Sequence, residues 1–264
     1  MSEPVKVPTM AEMLAAGEVP EVLFWVGCSG SFDDRAKKIT KAIVKILHKA
    51  NVKFAVLGAE ESCTGDPAKR AGNEFLFQMQ AMMNIQVLDG YEIKKIVTGC
   101  PHCFNTMKNE YPALGGNYEV LHHTQFIQSL IKEGKLTLAG GGVFKGKRIT
   151  FHDPCYLGRG NEVYEAPRVL LESLDAELVE MKRCKSKGLC CGAGGAQMFK
   201  EAEPGNKEVN IERTEEALAL APHVIATGCP FCNTMMTDGV KNFNKEDTTK
   251  VLDVAELIAQ ANDL

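Results

Sequence analysis

Four cysteines recur twice along this chain at nearly the same spacing, and that recurrence constrains the fold more than any other feature. Cys28, Cys63, Cys100 and Cys103 are answered by Cys155, Cys190, Cys229 and Cys232. Cys28 lies 127 residues before Cys155, as Cys63 does before Cys190, and the two Cys-x-x-Cys pairs are 129 residues apart. The flanking sequence agrees. Val97-Thr98-Gly99-Cys100-Pro101-His102-Cys103 is matched by Ala226-Thr227-Gly228-Cys229-Pro230-Phe231-Cys232, with Thr106-Met107 and Thr234-Met235 following. Self-similarity at a fixed interval marks a duplicated architecture.

Each half reads as strands alternating with helices. Short apolar runs at 22–26, 53–57 and 95–98 suit buried strands. Residues 33–50 carry Ala36, Ile39, Ile43, Ile46 and Leu47 at helical spacing with lysines opposite, and 73–83 reads as a second helix. The second half repeats the plan, with strands at 148–152, 177–181 and 224–227 and helices at 166–174 and 210–220. A strand and helix close each half, at 118–121 with 124–133 and at 251–252 with 254–261. Interleaving of this kind predicts an α/β fold with mostly parallel sheets. The glycines at 140–142 and Lys145-Gly146-Lys147 read as a hairpin or linker. The expected domains are therefore 1–140 and 141–264, with the boundary near Gly141.

Composition decides what the ten cysteines are for. The formal net charge of −4 disfavours nucleic acid or an anionic membrane as a general partner. The N-terminus lacks the basic start and apolar run of a secretory signal, and no apolar stretch is long enough to cross a bilayer. A cytoplasmic location follows as the expectation, where stable disulfides are disfavoured and clustered thiols point to metal or redox chemistry. Cys28, Cys100 and Cys229 each follow a glycine just after a predicted strand. Strand ends of parallel sheets form the usual site crevice, and the helix N-termini there favour thiolates. Small residues after Cys190-Cys191, in Gly192-Ala193-Gly194-Gly195, let the backbone approach a bulky inorganic core.

Zinc in a closed tetrahedron takes four thiolates, and so does a cubane iron–sulfur cluster. The second half offers five, Cys155, Cys190, Cys191, Cys229 and Cys232, which exceeds what zinc needs and favours a polynuclear cluster. A thioredoxin-like Cys-x-x-Cys would leave Cys28, Cys63, Cys155, Cys190 and Cys191 without a role.

Cys155, then Cys190-Cys191-Gly192, then Cys229-Pro230-Phe231-Cys232 resembles the CCG cysteine-rich domain family, and His152-Asp153-Pro154-Cys155-Tyr156-Leu157-Gly158-Arg159 is similar to that family's second-repeat opening. The family includes the B and D polypeptides of heterodisulfide reductase and the iron–sulfur subunits of glycolate oxidase, lactate-utilisation and anaerobic glycerol-3-phosphate dehydrogenase complexes. The resemblance implies two Rossmann-like domains related by a pseudo-twofold. It also implies a noncubane [4Fe–4S] cluster on Cys155, Cys190, Cys191, Cys229 and Cys232. In the first half Cys63-Thr64-Gly65 stands where the second has Cys190-Cys191-Gly192. Four metal ligands remain there, Cys28, Cys63, Cys100 and Cys103, for a [4Fe–4S] cluster or zinc. Many relatives carry a ferredoxin-like module that this sequence does not show, so the resemblance implies a ferredoxin-like or flavoprotein partner subunit and a link to a quinone-reducing membrane complex.

The expected function is electron transfer in a heterodisulfide reductase-like oxidoreductase complex, with disulfide reduction at the second cluster as its narrower form. The rival is a zinc-stabilised structural or interaction subunit without redox activity. No side chain stands out as catalytic. Among single residues, Cys184 reads as an incidental loop cysteine, the alternative being a reactive thiol whose pKa its basic neighbours Arg183 and Lys185 lower. His102 and His152 read as hydrogen-bonding neighbours of the cluster, and His122-His123 as a cap or packing pair. Met79, Met82 and Met83 read as core filling, and Glu60 and Glu61 as solvated loop residues.

Overall fold

The computed structural model describes residues 6–138, 142–201 and 204–264. The expected boundary at Gly141 lies outside the described residues. Each half forms one four-stranded parallel sheet. The first holds β1 (Val22–Trp25), β2 (Phe54–Ala55), β3 (Lys95–Thr98) and β4 (Glu119–His122) in the order β2-β1-β3-β4. The second holds β5 (Arg148–Phe151), β6 (Glu177–Leu178), β7 (Val224–Thr227) and β8 (Lys250–Asp253) in the order β6-β5-β7-β8. Equivalent registers are kept: Leu23 pairs with Ile96, and their repeat counterparts Thr150 and Ile225 pair likewise. β1 and β7 are buried along their whole length, as strands covered on both faces must be.

Four helices lie between the sheets: Ala36–Lys49, His123–Lys132, Glu165–Glu172 and Val254–Ala261. The first packs on the last, and the second on the third, so each contact joins the two halves. Ile39, Ile43, Phe126, Ile127, Leu170, Leu171, Leu257 and Ile258 meet in one core shared by both sheets. Each such side chain contributes roughly 1.5–3 kcal/mol by leaving water. Asp253 and Glu256 close a reciprocal cap on the last helix, and Glu256 also reaches across to Arg35 at 2.7 Å.

The outer faces carry separate helices, Glu74–Gly90 on the first sheet and Val209–Leu218 with Pro230–Asn242 on the second. The winding therefore changes face at β1/β3 and at β5/β7, the topological switch points where ligand crevices form.

Three expectations need correction here. The second helix runs to Gly90, beyond the expected 73–83, because Asn84, Ile85 and Leu88 continue its buried face after Phe77 and Ala81. Met79, Met82 and Met83 do not fill the core; they are exposed, with Phe75, on the opposite face of that helix. The edge strands β2 and β6 pair over two residues each, shorter than 53–57 and 177–181 suggest. Among the described residues, no helix is long and apolar enough to cross a membrane.

Candidate metal centres

Both switch points end in cysteines. After β1 the chain enters the short Gly27–Phe32 helix, which carries Cys28. After β3, Cys100 stands at the N-terminus of Pro101–Asn105, with Cys103 in the first turn. Cys229 and Cys232 hold the same places on Pro230–Asn242. Proline at the first helical position has no N–H to leave unsatisfied, so the strand can turn directly into a helix.

The loops that bring Cys63 and Cys190 to these ends match in detail. The N–H of Gly65 donates to Cys63 Sγ at 3.5 Å, and that of Gly192 to Cys190 Sγ at 3.3 Å. The two glycines have φ of +89° and +88°, in the left-handed region. A Cβ on Gly65 would also stand 2.8 Å from the Phe77 ring. Thr64 and Cys191 then occupy matching sites. Thr64 Oγ1 lies 3.8 Å from Cys103 Sγ, and Cys191 Sγ lies 3.3 Å from Cys232 Sγ.

Nine of the ten cysteines gather this way. Cys28 reaches Cys63, and Cys100 reaches Cys103. In the second half Cys155 reaches Cys190, Cys190 reaches Cys191, and Cys229 reaches Cys232. Cys100 and Cys229, equivalent in the repeat, also touch each other across the two halves. His102 meets its repeat counterpart Phe231 edge-on, with ring centroids 5.2 Å apart. The pseudo-twofold axis therefore runs between the two Cys-Pro-x-Cys turns.

Hydrogen bonds from neighbouring thiols favour the thiolate at Cys63, Cys190 and Cys100, the last through Cys103 first. The thiol hydrogen bond from Cys28, with the Gly65 amide, pulls Cys63 down to about 7 against burial. Cys155, then Cys191 and the Gly192 amide, act likewise on Cys190 and pull it well below the ordinary thiol range. Cys191, Cys229 and Cys232 are buried, whereas Cys155 and Cys190 are only half-buried, so the second centre opens on that side. Tyr156 and His102 stand at this opening, in edge-on contact at 4.8 Å, and His102 Nδ1 is held by Asp66 Oδ2 at 2.9 Å.

His152 is fully buried, with Nδ1 3.0 Å from the Nε of Arg213. One of its ring nitrogens and the sulfurs of Cys191 and Cys232 lie within 4.8 Å of one another. Burial, and then the adjacent Arg213 cation, push its pKa down to about 3, so the ring is neutral.

Other residues fall differently from expectation. Glu61 is not a solvated loop residue: its carboxylate accepts from the amides of Val26 at 3.0 Å and Gly27 at 2.6 Å, and burial raises it to about 7. Glu60 is exposed and accepts from Tyr91. Cys184 lies outside both centres, and burial, followed by the nearby Glu180 charge, raises its thiol pKa rather than lowering it. His122 caps its helix through Thr124, and its Nε2 lies 3.0 Å from the Gly228 carbonyl, tying β4 to the Cys229 loop. His123 meets Asp253 of the other half at 3.0 Å. Arg213 and Asp66 went unnoticed in the sequence, since each sits far along the chain from the group it serves.

Soft thiol sulfurs on this scale suit iron–sulfur clusters or zinc among the biological metals. Five sulfurs in contact, with Ala193 packed among them and the Gly192 amide on Cys190, fit a polynuclear core better than a single tetrahedral ion.

Two winding switch points, each ringed by thiols from equivalent loops, define a duplicated cysteine-rich α/β protein, and the chain belongs to the CCG cysteine-rich domain family. The profile of that family matches residues 22–108 and again 149–237. Among individual relatives, the chain is 49% identical to the "Probable iron-sulfur-binding oxidoreductase FadF" of Bacillus subtilis, over 97% of this chain and 36% of that protein. It is 44% identical to the "EtfAB:quinone oxidoreductase" of Syntrophomonas wolfei, over 93% of this chain and 35% of that one. The D polypeptide of the dihydromethanophenazine:CoB–CoM heterodisulfide reductase of Methanosarcina barkeri is 32% identical, over 91% of this chain and 59% of its own length. The chain thus spans about a third of the first two relatives.

Proposed function

We propose that this chain is the iron–sulfur electron-transfer part of an oxidoreductase complex. Cys155, Cys190, Cys191, Cys229 and Cys232 would hold a noncubane [4Fe–4S] cluster, and Cys28, Cys63, Cys100 and Cys103 a second cluster. The observation that carries this reading is the contact between Cys100 and Cys229, which sets the two sulfur-rich centres side by side in one buried seam. Iron–sulfur clusters accept and release single electrons. The protein holds the sulfurs at fixed strand ends and excludes water from Cys100, Cys103, Cys191, Cys229 and Cys232. A closed zinc site in either half would give no use to that adjacency.

Electrons would enter from a ferredoxin-type or flavin-bearing partner and leave toward quinone, as the name of the Syntrophomonas relative supports. The name of the Methanosarcina relative supports a narrower form, disulfide reduction at the half-buried Cys155–Cys190 side of the second centre. The two domains would be 1–140 and 141–264, each carrying one centre.

Anaerobic purification with iron, acid-labile sulfide and zinc analysis tests the reading, together with electron paramagnetic resonance of the reduced protein. Brown protein with iron and sulfide at both centres is expected. Colourless protein carrying zinc alone would overturn it. Stoichiometric consumption of a disulfide by the reduced protein tests the narrower form.

A further inference from the structure

Trp25 and His152 occupy the same position of the repeat, each three residues before the first cysteine of its half. Both are fully buried at the ends of the central strands β1 and β5. Each keeps a ring nitrogen without a hydrogen-bond partner among the described residues, Nε1 of Trp25 and Nε2 of His152. A buried polar group left unpaired costs about 1–3 kcal/mol. Two such groups at one repeat position, one beside Cys191 and Cys232 and the other in the buried cluster that also holds Cys100 and Cys103, share a cause.

The indole N–H can only donate. Trp25 packs in the same buried cluster as Cys100 and Cys103. The second half reaches the same end with a histidine. The Arg213 Nε–H that faces His152 Nδ1 also can only donate, so Nδ1 is the acceptor and the ring proton sits on Nε2. Arg213 is itself fixed, 2.9 Å from Glu216 and 2.8 Å from the carbonyl of Arg183.

We infer that this repeat position supplies an N–H donor to the sulfur atoms of the group held in each half, through Trp25 at the first centre and His152 at the second. The inference rests on the cluster reading above. His152 is then a positioning and tuning residue, not a metal ligand, although its ring lies within ligand range of Cys191 and Cys232. A tryptophan at the equivalent place supports donation, because an indole does not ligate iron. Arg213 holds the tautomer. Hydrogen bonds to cluster sulfurs stabilise the more negative, reduced state and raise the reduction potential.

The test uses anaerobically purified holoprotein, with iron and sulfide analysis and a redox titration followed by electron paramagnetic resonance. His152→Phe keeps a ring and removes the donor. It should retain wild-type iron and sulfide and lower the potential of the second centre alone, on the order of tenfold in the reduction equilibrium, ~59 mV for one electron. Trp25→Phe should do the same at the first centre. Arg213→Met, which frees the tautomer, should lower the second potential by less. Iron lost from the second centre of a folded His152→Phe protein would make His152 a ligand and overturn the assignment. Unchanged potentials with iron retained would overturn it and leave the cluster reading standing, whereas wild-type protein without iron would overturn both. Wild-type protein gives a check that needs no variant: proton hyperfine spectra in H2O and D2O should show an exchangeable proton coupled to each reduced centre, and its absence sinks the inference.

Discussion

At the end of β1 the chain turns through Gly27, at φ +78°, directly into a helix; at the end of β5 it turns through Pro154, whose ring forbids that conformation. The two halves also stabilise these turns differently. In the first, Glu61 takes the amides of Val26 and Gly27. In the second, Asp153 is locked in a buried pair with Arg168, at 2.9 Å, and takes the amide of Lys185 at 2.7 Å. Yet the loops bearing Cys63 and Cys190 keep nearly the same glycine conformation, with φ of +89° and +88°. Duplication preserved the backbone cradle. Its supports were rebuilt, and its chemistry changed at one side chain, where Thr64 faces Cys103 as Cys191 faces Cys232.

The sharpest way to break this comparison is Cys191→Ala, which should abolish or transform the spectrum of the second centre while iron at the first stays at its wild-type level. An unchanged spectrum removes Cys191 as a ligand. The reverse substitution, Thr64→Cys, should move the spectrum of the first centre toward that of the second by restoring a fifth thiol. Next in size is Asp153→Ala, which takes one of its two carboxylate partners from the buried Arg168 cation, Glu180 remaining, and frees the Lys185 amide; it should cost about 3 kcal/mol in denaturant unfolding. Glu61→Gln at the corresponding support of the first half should cost less, about 1–2 kcal/mol, because one acceptor oxygen becomes an NH2 that cannot accept, leaving one of the two amides unpaired without leaving a buried charge. Equal losses would show the two supports to be interchangeable. Thr64→Ala is the smallest change. Metal content at the first centre should hold, with stability shifting by about 1 kcal/mol or less; loss of that metal would make Thr64 a ligand.

Strands and inner helices were legible because their apolar residues obey one period. Residues 95–98, 224–227 and 254–261 fall on the observed elements, and Ile39, Ile43 and Ile46 face the core as their spacing predicts. The Glu74–Gly90 helix was misread because it is apolar on both faces, so the exposed stripe of Phe75, Met79, Met82 and Met83 looked as buried as that of Phe77, Ala81 and Leu88. The cysteine sets were readable from spacing alone. The contact between Cys100 and Cys229 was not, since a repeat reports that two halves are alike and says nothing of which atoms meet across them. The partners of Glu61 and Arg213 were hidden for a related reason: a charge's partner lies wherever the fold brings it, 34 and 61 residues away here.

The four helices between the sheets meet pairwise about the axis that also runs between Cys100 and Cys229 and between His102 and Phe231. Like surfaces face like surfaces, which is the geometry of an isologous dimer. A single ancestral half would have exposed that apolar helix pair unless it met a second copy of itself. Once one polypeptide carried both copies, each became free to drift without spoiling its twin, and a threonine could take a cysteine's place on one side only.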